Sequence, residues 1–218
     1  MRVATLPGVF RPRSDSWLLA AHLRAEMTRL RPAPSVLDVC TGSGAIAIAG
    51  AQAGAGAVTA VDVSRRSVLT VRINARLNGV RVRALRGDLF APVAGERFDA
   101  IVSNPPYLPS EDDELPRHGP QRAWEGGTDG RLVLDRICAE APAHLRPGGF
   151  LLLVHSSVCG LEPTVQRLEG AGLTVEVLER RRGALGPLVS ARAPLLEARG
   201  ILAPGEREED MLVVKAAA

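Results

Sequence analysis

The stretch that decides the fold is Val36–Ala45, which reads VLDVCTGSGA. A short apolar run ends in a turn that contains Gly42 and Gly44, and a helical pattern follows directly. Glycine lets the chain turn sharply and lets a ligand come close to the backbone. The following helix directs its N-terminal amides and the positive end of its dipole at the same point. The stretch therefore predicts a ligand site beyond the carboxyl end of the first strand.

Acidic residues stand at the ends of the next two apolar runs. Asp62 comes about 20 residues after the glycine turn, the spacing of the acid that binds a ribose in nucleotide-binding sheets. We expect Asp88, after the third run, to accept from an exocyclic amine while Leu89 covers a purine face. Asp38, just before the turn, is expected near a positively charged amino group. The candidate cofactor-binding residues of these runs are Asp38, Cys40, Thr41, Gly42, Gly44, Asp62, Val63, Asp88 and Leu89.

The whole chain alternates between short apolar runs and longer helical stretches. This predicts one α/β domain over residues 1–218, with a doubly wound, Rossmann-like, mostly parallel sheet of seven strands whose last strand is antiparallel. The predicted strands are Val36–Val39, Val58–Val63, Val82–Gly87, Phe98–Ser103, Phe150–Val154, Thr174–Leu178 and Met211–Lys215. The predicted helices are Ser16–Arg29, Gly44–Ala53, Arg65–Leu77, Arg131–Leu145 and Glu162–Gly170.

Two connections are unusually long. Residues 104–130 follow the fourth strand, and ligands of open α/β sheets bind beyond the carboxyl ends of the strands, so this loop is predicted to be a substrate lid. It contains an acidic run, Glu111–Glu114, that would attract a basic protein surface, and His118, a histidine placed to take part in the site. Residues 183–210 are predicted to be a loop, to which we assign no role.

Composition narrows the function classes. The 218 residues are 46% apolar and carry a formal net charge of +3, which fits one folded domain and not a disordered chain. Lys215 is the only lysine, so the positive charge comes from arginine and does not by itself argue for a nucleic-acid partner. The cysteines have no zinc-ligand spacing, and no apolar run approaches a membrane span. We expect a cytoplasmic protein with no metal and no membrane contact.

The glycine turn alone leaves two classes open. The pattern Gly42-x-Gly44-x-x-Ala47 also matches the relaxed dinucleotide fingerprint, so an NAD-dependent oxidoreductase remains a rival interpretation.

The motif Asn104-Pro105-Pro106-Tyr107 favours methyl transfer to nitrogen. It follows the fourth strand at once, and its prolines stop the strand and bring no N–H donors. The Asn104 side-chain carbonyl and the Pro105 backbone carbonyl are then placed to accept from one planar NH2 group, with the Tyr107 ring beside it. An amide or aromatic amine nitrogen is a poor nucleophile, and two acceptors orient it and bind it more strongly as charge develops during attack on a methyl sulfonium.

On these residues the sequence resembles the class I S-adenosylmethionine-dependent methyltransferases, and among them the release factor glutamine methyltransferases of the HemK/PrmC type. Three further segments carry the resemblance: Val9–Leu19, Ala123–Gly130 and Leu145–Phe150. It implies S-adenosylmethionine as cofactor and the glutamine amide of a Gly-Gly-Gln tripeptide as acceptor, with Asn104, Pro105, Pro106 and Tyr107 as catalytic residues. It also implies that residues 1–35 cover the cofactor and that Asp15, Ser16 and Asn104 lie near it. Asp15 and Ser16 can equally serve as a helix cap.

The chain departs from typical bacterial members because only about 35 residues precede the first predicted strand. In this it is similar to the short archaeal and eukaryotic branch, which works with a small zinc-binding activator subunit. We therefore expect a release factor as substrate and, as a possible partner, such an activator. Three alternatives remain open: methylation of an exocyclic amine in RNA or DNA, methylation of a small-molecule amine, and a non-catalytic cofactor-binding subunit.

Overall fold

The strands of the described chain form a single mixed sheet. The computed structural model describes residues 1–116 and 119–218, so His118 lies outside the described residues. The strands are β1 Ser35–Val39, β2 Ala57–Asp62, β3 Arg83–Arg86, β4 Phe98–Ser103, β5 Leu145–Ser156, β6 Thr174–Ala184 and β7 Glu208–Ala217. Their order is β3-β2-β1-β4-β5-β7-β6, and β7 is antiparallel to both of its neighbours while the other pairs are parallel. The predicted fold class is confirmed.

Helices cover both faces of this sheet. They are α1 Ser14–Met27, α2 Ala45–Gln52, α3 Arg65–Leu77, α4 Leu132–Glu140, α5 Glu162–Gly170, α6 Pro187–Ser190 and α7 Ala193–Ala198. Successive strand residues point to opposite faces, so Val36 packs in the cluster that contains Leu19 and Ile46, whereas Leu37 packs with residues of α4. No helix among the described residues is both long and apolar enough to span a bilayer.

Parallel pairing brings the functional segments together at one edge of the sheet. Val39 is in register with Val61 on β2 and with Ser103 on β4, and Asp62 is in register with Arg86 on β3. The residues that follow these strand ends are therefore neighbours across the edge: the glycine turn, the segment after Asp62, the segment after β3, and Asn104.

Several boundaries differ from the predictions, and the largest shifts before β6 are at the end of α4 and the start of β5. The predicted helix Arg131–Leu145 was too long, because α4 ends at Glu140 and a 3₁₀ turn over Ala141–His144 leads into β5. Pro142 in that turn has no N–H to continue an α-helix. Strand β5 begins at Leu145 because this residue pairs with Phe98, and a bulge then shifts the register before Phe150 pairs with Ala100.

The segment between the last two strands is not the loop that we predicted. Strand β6 extends to Ala184, and α6 and α7 follow before β7 begins. Val189, Ala193 and Leu196 are buried in the main core at helical spacing. Proline lies in the first turn of both helices, where its missing N–H costs nothing. Because each helix is so short, the helical spacing of the buried apolar residues is visible only when α6 and α7 are taken together.

The only lysine ties α1 to the sheet. Lys215 on β7 forms an ion pair with Glu26 on α1. Both are largely buried: Glu26 is 4% exposed, and the Lys215 side chain is 17% exposed. The Lys215 ammonium also lies 5.4 Å from the centre of the Phe150 ring, within cation–π range. Helix α1 is thereby held against β7, next to β5.

Candidate active site

A cavity of about 780 Å³ opens where the carboxyl ends of β1, β2, β3 and β4 meet. That volume lies within the range of small-molecule and cofactor sites. Of the residues selected from the sequence, ten line it: Ser16, Cys40, Thr41, Gly42, Asp62, Val63, Asp88, Leu89, Asn104 and Pro106. Asp15, Asp38, Gly44, Pro105 and Tyr107 are not among the described residues of its wall.

The glycine turn has the backbone that the sequence demands. Gly44 has φ +81°, and a Cβ there would lie 3.0 Å from Cγ2 of Val71 on α3, so a larger residue would be both strained and crowded. At Gly42, with φ +52°, the space beside the backbone is open. The turn thus packs closely on one side and leaves the other side accessible to a ligand.

Two residues of the wall adopt left-handed backbone conformations without being glycine. Cys40, after β1, has φ 59°, and Leu89, after β3, has φ 42°. Such conformations cost on the order of 1–3 kcal/mol each and concentrate at functional sites. Sequence reasoning selected both positions but could not foresee the strain, because nothing in either residue type announces a positive φ.

Asp62 is fixed by backbone amides from two segments. Its Oδ2 accepts from Gly42 N at 2.9 Å and its Oδ1 accepts from Ser64 N at 2.8 Å. Burial raises the pKa of the Asp62 carboxyl, and these two amides oppose the rise. The carboxylate therefore occupies a single orientation on the cavity wall, between the glycine turn and the start of α3.

Asp38, which we expected near a positively charged amino group of a ligand, lies at the base of the glycine turn. It is completely buried beneath the turn, and its Oδ2 accepts from Thr41 Oγ1 at 2.6 Å and from Ala47 N at 3.0 Å. Burial raises the pKa of Asp38 to about 7. Its Oδ1 is the one buried side-chain polar atom without a hydrogen bond among the residues that the structure describes. The contacts of Oδ2 join the turn to α2, and the proximity of Asp38 to a ligand amine stays a prediction.

Asn104 emerges from β4 with its side-chain amide anchored. Its Nδ2 donates to Asp15 Oδ2 at 3.0 Å and to Ser16 Oγ at 3.1 Å. A carboxylate only accepts hydrogen bonds, so the nitrogen, and not the oxygen, of the amide must face Asp15. Both amide hydrogens are then in use, which leaves Asn104 Oδ1 as the amide atom that can accept from a ligand.

Tyr107 meets the same carboxylate. Its hydroxyl donates to Asp15 Oδ2 at 3.2 Å and also approaches Met211 Sδ at 3.8 Å. Burial, reinforced by the charge of Asp15, raises the pKa of Tyr107 well above its usual value, so the phenol keeps its proton. The hydroxyl thus contacts Asp15, the residue that also supports Asn104, and the position of the ring beside the bound groups stays a prediction.

The returning part of the 104–130 loop packs directly on the motif. A Cβ at Gly126 would lie 2.8 Å from the Pro106 carbonyl oxygen, and one at Gly130 would lie 2.2 Å from that of Tyr107. These glycines are therefore required because two backbones touch. The two limbs of the loop are joined by Leu108 N to Trp124 O at 2.7 Å and by Gly126 N to Leu108 O at 2.9 Å.

Two residues that shape the site, Arg136 and Asn74, escaped sequence reasoning. Arg136 on α4 lines the cavity and pairs with Asp88 at 2.8 Å. Phe10, in the N-terminal segment, lines the cavity as well. That segment is held by buried Asn74, whose Nδ2 donates to Ala4 O at 2.8 Å and to Ser43 O at 2.9 Å. A lone asparagine on the buried face of a predicted helix was the available signal.

The segment between β6 and β7 also reaches the 104–130 loop. Arg192 pairs with Glu125, a residue of the cavity wall, at 2.8 Å. Arg199 donates to three carbonyl oxygens of the loop, those of Ser110, Glu111 and Thr128. Over residues 1–116 and 119–218, no group of three or more His, Cys, Asp and Glu side chains is arranged to hold a metal ion.

The family model and the sequence relatives that match this chain are all named as methyltransferases. Residues 1–116 match the family model described as methyltransferase small domain. A Methanocaldococcus jannaschii protein, provisionally named a protein N5-glutamine methyltransferase, is 37% identical over 174 residues, which cover 80% of this chain and 85% of that protein. The release factor glutamine methyltransferase of Deinococcus radiodurans is 45% identical over 149 residues, or 66% of this chain and 52% of that protein. The chain thus spans about half the length of this bacterial relative.

Solved structures share the fold. The E. cuniculi Mtq2–Trm112 complex, described as responsible for methylation of the eRF1 translation termination factor, aligns over 96% of this chain and 98% of that chain, with a TM-score of 0.62 and 22% identity. The T. thermophilus 16S rRNA N2 G1207 methyltransferase, in complex with AdoMet and guanosine, aligns over 98% of this chain and 46% of that chain, with a TM-score of 0.62 and 24% identity. At these identities the likeness concerns the fold. From the family match and the sequence relatives together, the chain belongs to the methyltransferase small domain family and is an S-adenosylmethionine-dependent methyltransferase.

Proposed function

We propose that this protein transfers the methyl group of S-adenosylmethionine to the side-chain amide nitrogen of a glutamine in a protein, and that this protein is a peptide-chain release factor. The observation that carries the proposal is the anchored amide of Asn104. Its nitrogen is held by Asp15 and Ser16, so its oxygen is left to accept from an NH2 group. The names of the sequence relatives point to the same reaction.

The cavity wall suits the methyl donor. Asp62 offers a rigid carboxylate for the ribose hydroxyls, and Leu89 offers an apolar surface for the adenine. Gly42 leaves open space beside the backbone, where the amino acid part of the donor can approach. In the proposed arrangement the N-terminal segment, residues 1–35, covers the cofactor through Phe10, and residues 104–130 form the substrate lid.

The residues of the motif supply orientation and charge stabilisation. In the reaction the glutamine nitrogen forms a bond to the methyl carbon, the bond between that carbon and sulfur breaks, and one amide proton is finally released to solvent. Asn104 Oδ1 and the Pro105 carbonyl oxygen each accept one N–H of the amide. These hydrogen bonds strengthen as the nitrogen becomes positive, so they stabilise the transition state more than the bound substrate. Alignment of nitrogen, carbon and sulfur contributes on the order of 7–11 kcal/mol.

The decisive experiment uses peptides that differ at one residue. We expect purified protein with labelled S-adenosylmethionine to methylate a release-factor fragment that contains Gly-Gly-Gln, and mass spectrometry to place one methyl group on the glutamine side chain. A fragment with glutamate in place of that glutamine is the matched control, since it has no amide nitrogen. Label in ribosomal RNA, with the glutamine fragment unmodified, would contradict the proposal.

A small activator subunit is the proposed partner. The structural neighbour from E. cuniculi is a two-protein complex, and its methyltransferase chain matches this chain over nearly its full length. The proposed substrate also places the reaction in the cytoplasm, where translation terminates. We expect co-expression with a candidate activator to yield a complex with equal amounts of both chains and higher activity than the protein alone. Full activity of the isolated chain, unchanged by the candidate, would contradict the need for a partner.

A further inference from the structure

Asp15 is a buried carboxylate at the centre of the motif's support. The residue is 6% exposed, yet it does not line the cavity. Its Oδ1 accepts from Ser16 N at 2.6 Å and from Ser16 Oγ at 3.3 Å, while its Oδ2 accepts from Asn104 Nδ2 at 3.0 Å and from Tyr107 OH at 3.2 Å. Four donors thus converge on one side chain: two from the adjacent Ser16, and one each from Asn104 and Tyr107. Asp15 and Asn104 are 89 residues apart in the chain.

We propose that Asp15 is a positioning residue for methyl transfer, acting through Asn104. An asparagine amide has two orientations that differ only in which end carries the acceptor. The carboxylate accepts a hydrogen bond from one of these ends and repels the other, so it selects the orientation in which Asn104 Oδ1 remains available. The proposal rests on the proposed function in one respect, namely that Asn104 Oδ1 receives the substrate NH2.

The contacts require a carboxylate and not merely a polar side chain. Asparagine at position 15 would keep one acceptor oxygen and replace the other with an NH2 donor. If its oxygen faces Ser16 N, its NH2 faces the donors of Asn104 and Tyr107. If the amide is reversed, its NH2 faces the donor of Ser16 N. In the second orientation two donors oppose each other, which is costly when they are buried. In the first, Asn104 avoids the same conflict by turning its oxygen toward position 15, and Oδ1 is then no longer available to the substrate.

Tyr107 completes the arrangement. As a neutral phenol it donates to the same oxygen that holds Asn104, which keeps this oxygen turned toward the motif. We therefore assign to Tyr107 the role of supporting Asn104. Ser16 Oγ contributes a second acceptor for the Asn104 nitrogen and also donates to Asp15 Oδ1, so Ser16→Ala removes both of these contacts and leaves the carboxylate in place.

A double-mutant cycle tests the proposal on the full chain with the Gly-Gly-Gln fragment as substrate. We expect Asp15→Asn to lower kcat by roughly 10–100-fold, the effect typical of losing a residue that orients a functional group, with the cofactor Kd changed less than about threefold. In the Asn104→Ala background the same substitution should change kcat by less than about threefold, because the group it orients is gone. Ser16→Ala should give a smaller loss. Glu176→Gln, an acid-to-amide change at an exposed position of β6, is the control.

Equal loss of kcat in both backgrounds, or a parallel loss of cofactor affinity, would overturn the proposal. A second readout does not depend on the substrate. In wild-type protein the side-chain NH2 signals of Asn104 should exchange slowly with solvent, and in Asp15→Asn, or in Ser16→Ala if Asp15→Asn does not fold, they should exchange faster. The side-chain amide of Asn78, held by Arg2 O and Asn74 O, should stay the same. Slow exchange of Asn104 that survives these substitutions would also overturn it. If wild-type protein methylates no glutamine while the exchange result holds, the proposed function fails and the positioning role stands.

Discussion

Arg199 joins the segment between β6 and β7 to both limbs of residues 104–130, the proposed substrate lid. Its Nη1 donates to the carbonyl oxygens of Ser110 at 2.6 Å and Thr128 at 3.0 Å, and its Nη2 donates to that of Glu111 at 2.7 Å. Ser110 and Glu111 lie on the outgoing limb and Thr128 on the returning one. Arg199→Met removes all three donors and keeps an unbranched side chain, so it tests the hydrogen bonds with little change in bulk.

The size of the effect follows from these contacts. A net contribution of about 0.5–1.5 kcal/mol is typical of one hydrogen bond, and Arg199 is exposed, which favours the lower half of that range. Three bonds at this level hold the lid with roughly 2 kcal/mol. Since 1.4 kcal/mol corresponds to a factor of ten, we expect Arg199→Met to lower the population of the closed form of this proposed lid about 30-fold relative to open forms.

We expect Arg199→Met to raise the KM for a release-factor substrate by roughly 10–30-fold, while kcat at saturation and the cofactor Kd change less than about threefold. Steady-state kinetics and calorimetry measure these quantities, and hydrogen exchange should show faster exchange at the amides of Leu108, Ser110 and Gly126, which bond across the lid. Arg180→Met, at an exposed arginine of β6 paired with Asp210, is the matched control. Unchanged KM together with unchanged exchange in the lid would refute the reasoning.

Three further predictions follow from single residues. Asn104→Ala should lower kcat by roughly 10²–10³-fold, as for removal of one transition-state hydrogen-bonding group, with cofactor affinity by calorimetry nearly unchanged; equal losses of both would assign the residue to cofactor binding. Gly130→Ala should lower the free energy of unfolding in urea by about 2–3 kcal/mol, because its Cβ would lie 2.2 Å from Tyr107 O. Gly172→Ala, also at positive φ but in open space, should lower it by about 1 kcal/mol. Similar losses for the two variants would contradict the crowding argument. Burial lowers the pKa of His155 to about 4 in the folded protein. Below pH 6.5 the unfolded state therefore binds the proton first, and the free energy of unfolding should fall by up to about 3 kcal/mol at pH 4. An NMR titration midpoint near 6.5 for the His155 ring would contradict this.

The sequence predicted what depends on local pattern. The runs that became β1, β2 and β4 are apolar because both faces of the sheet are covered, and turn residues mark their ends, so their positions were read correctly. The same logic placed Asp62 and Asn104 at the same edge of the sheet, since parallel strands end at a common edge. The side-chain partners were beyond this reasoning: the contact of Asn104 with Asp15 spans 89 residues and depends on how α1 packs.

The errors have physical causes of the same kind. The contacts of Asp38 with Thr41 and Ala47 were not foreseen, because they depend on how the turn after it curls back. The α6–α7 segment was read as a loop because two helices of fewer than eight residues give almost no periodic signal. The role of Arg199 could not be read at all, since its partners are backbone carbonyls that carry no mark in the sequence.

The pairing of Lys215 with Glu26 leaves the chain's one ε-amino group largely covered and engaged in an ion pair. Amine-directed crosslinkers and biotin esters therefore find no freely accessible lysine on this protein. Covalent trapping of the proposed release-factor substrate or activator can instead use reagents that couple carboxylates or guanidinium groups, with the exposed acids of the 104–130 loop as attachment points.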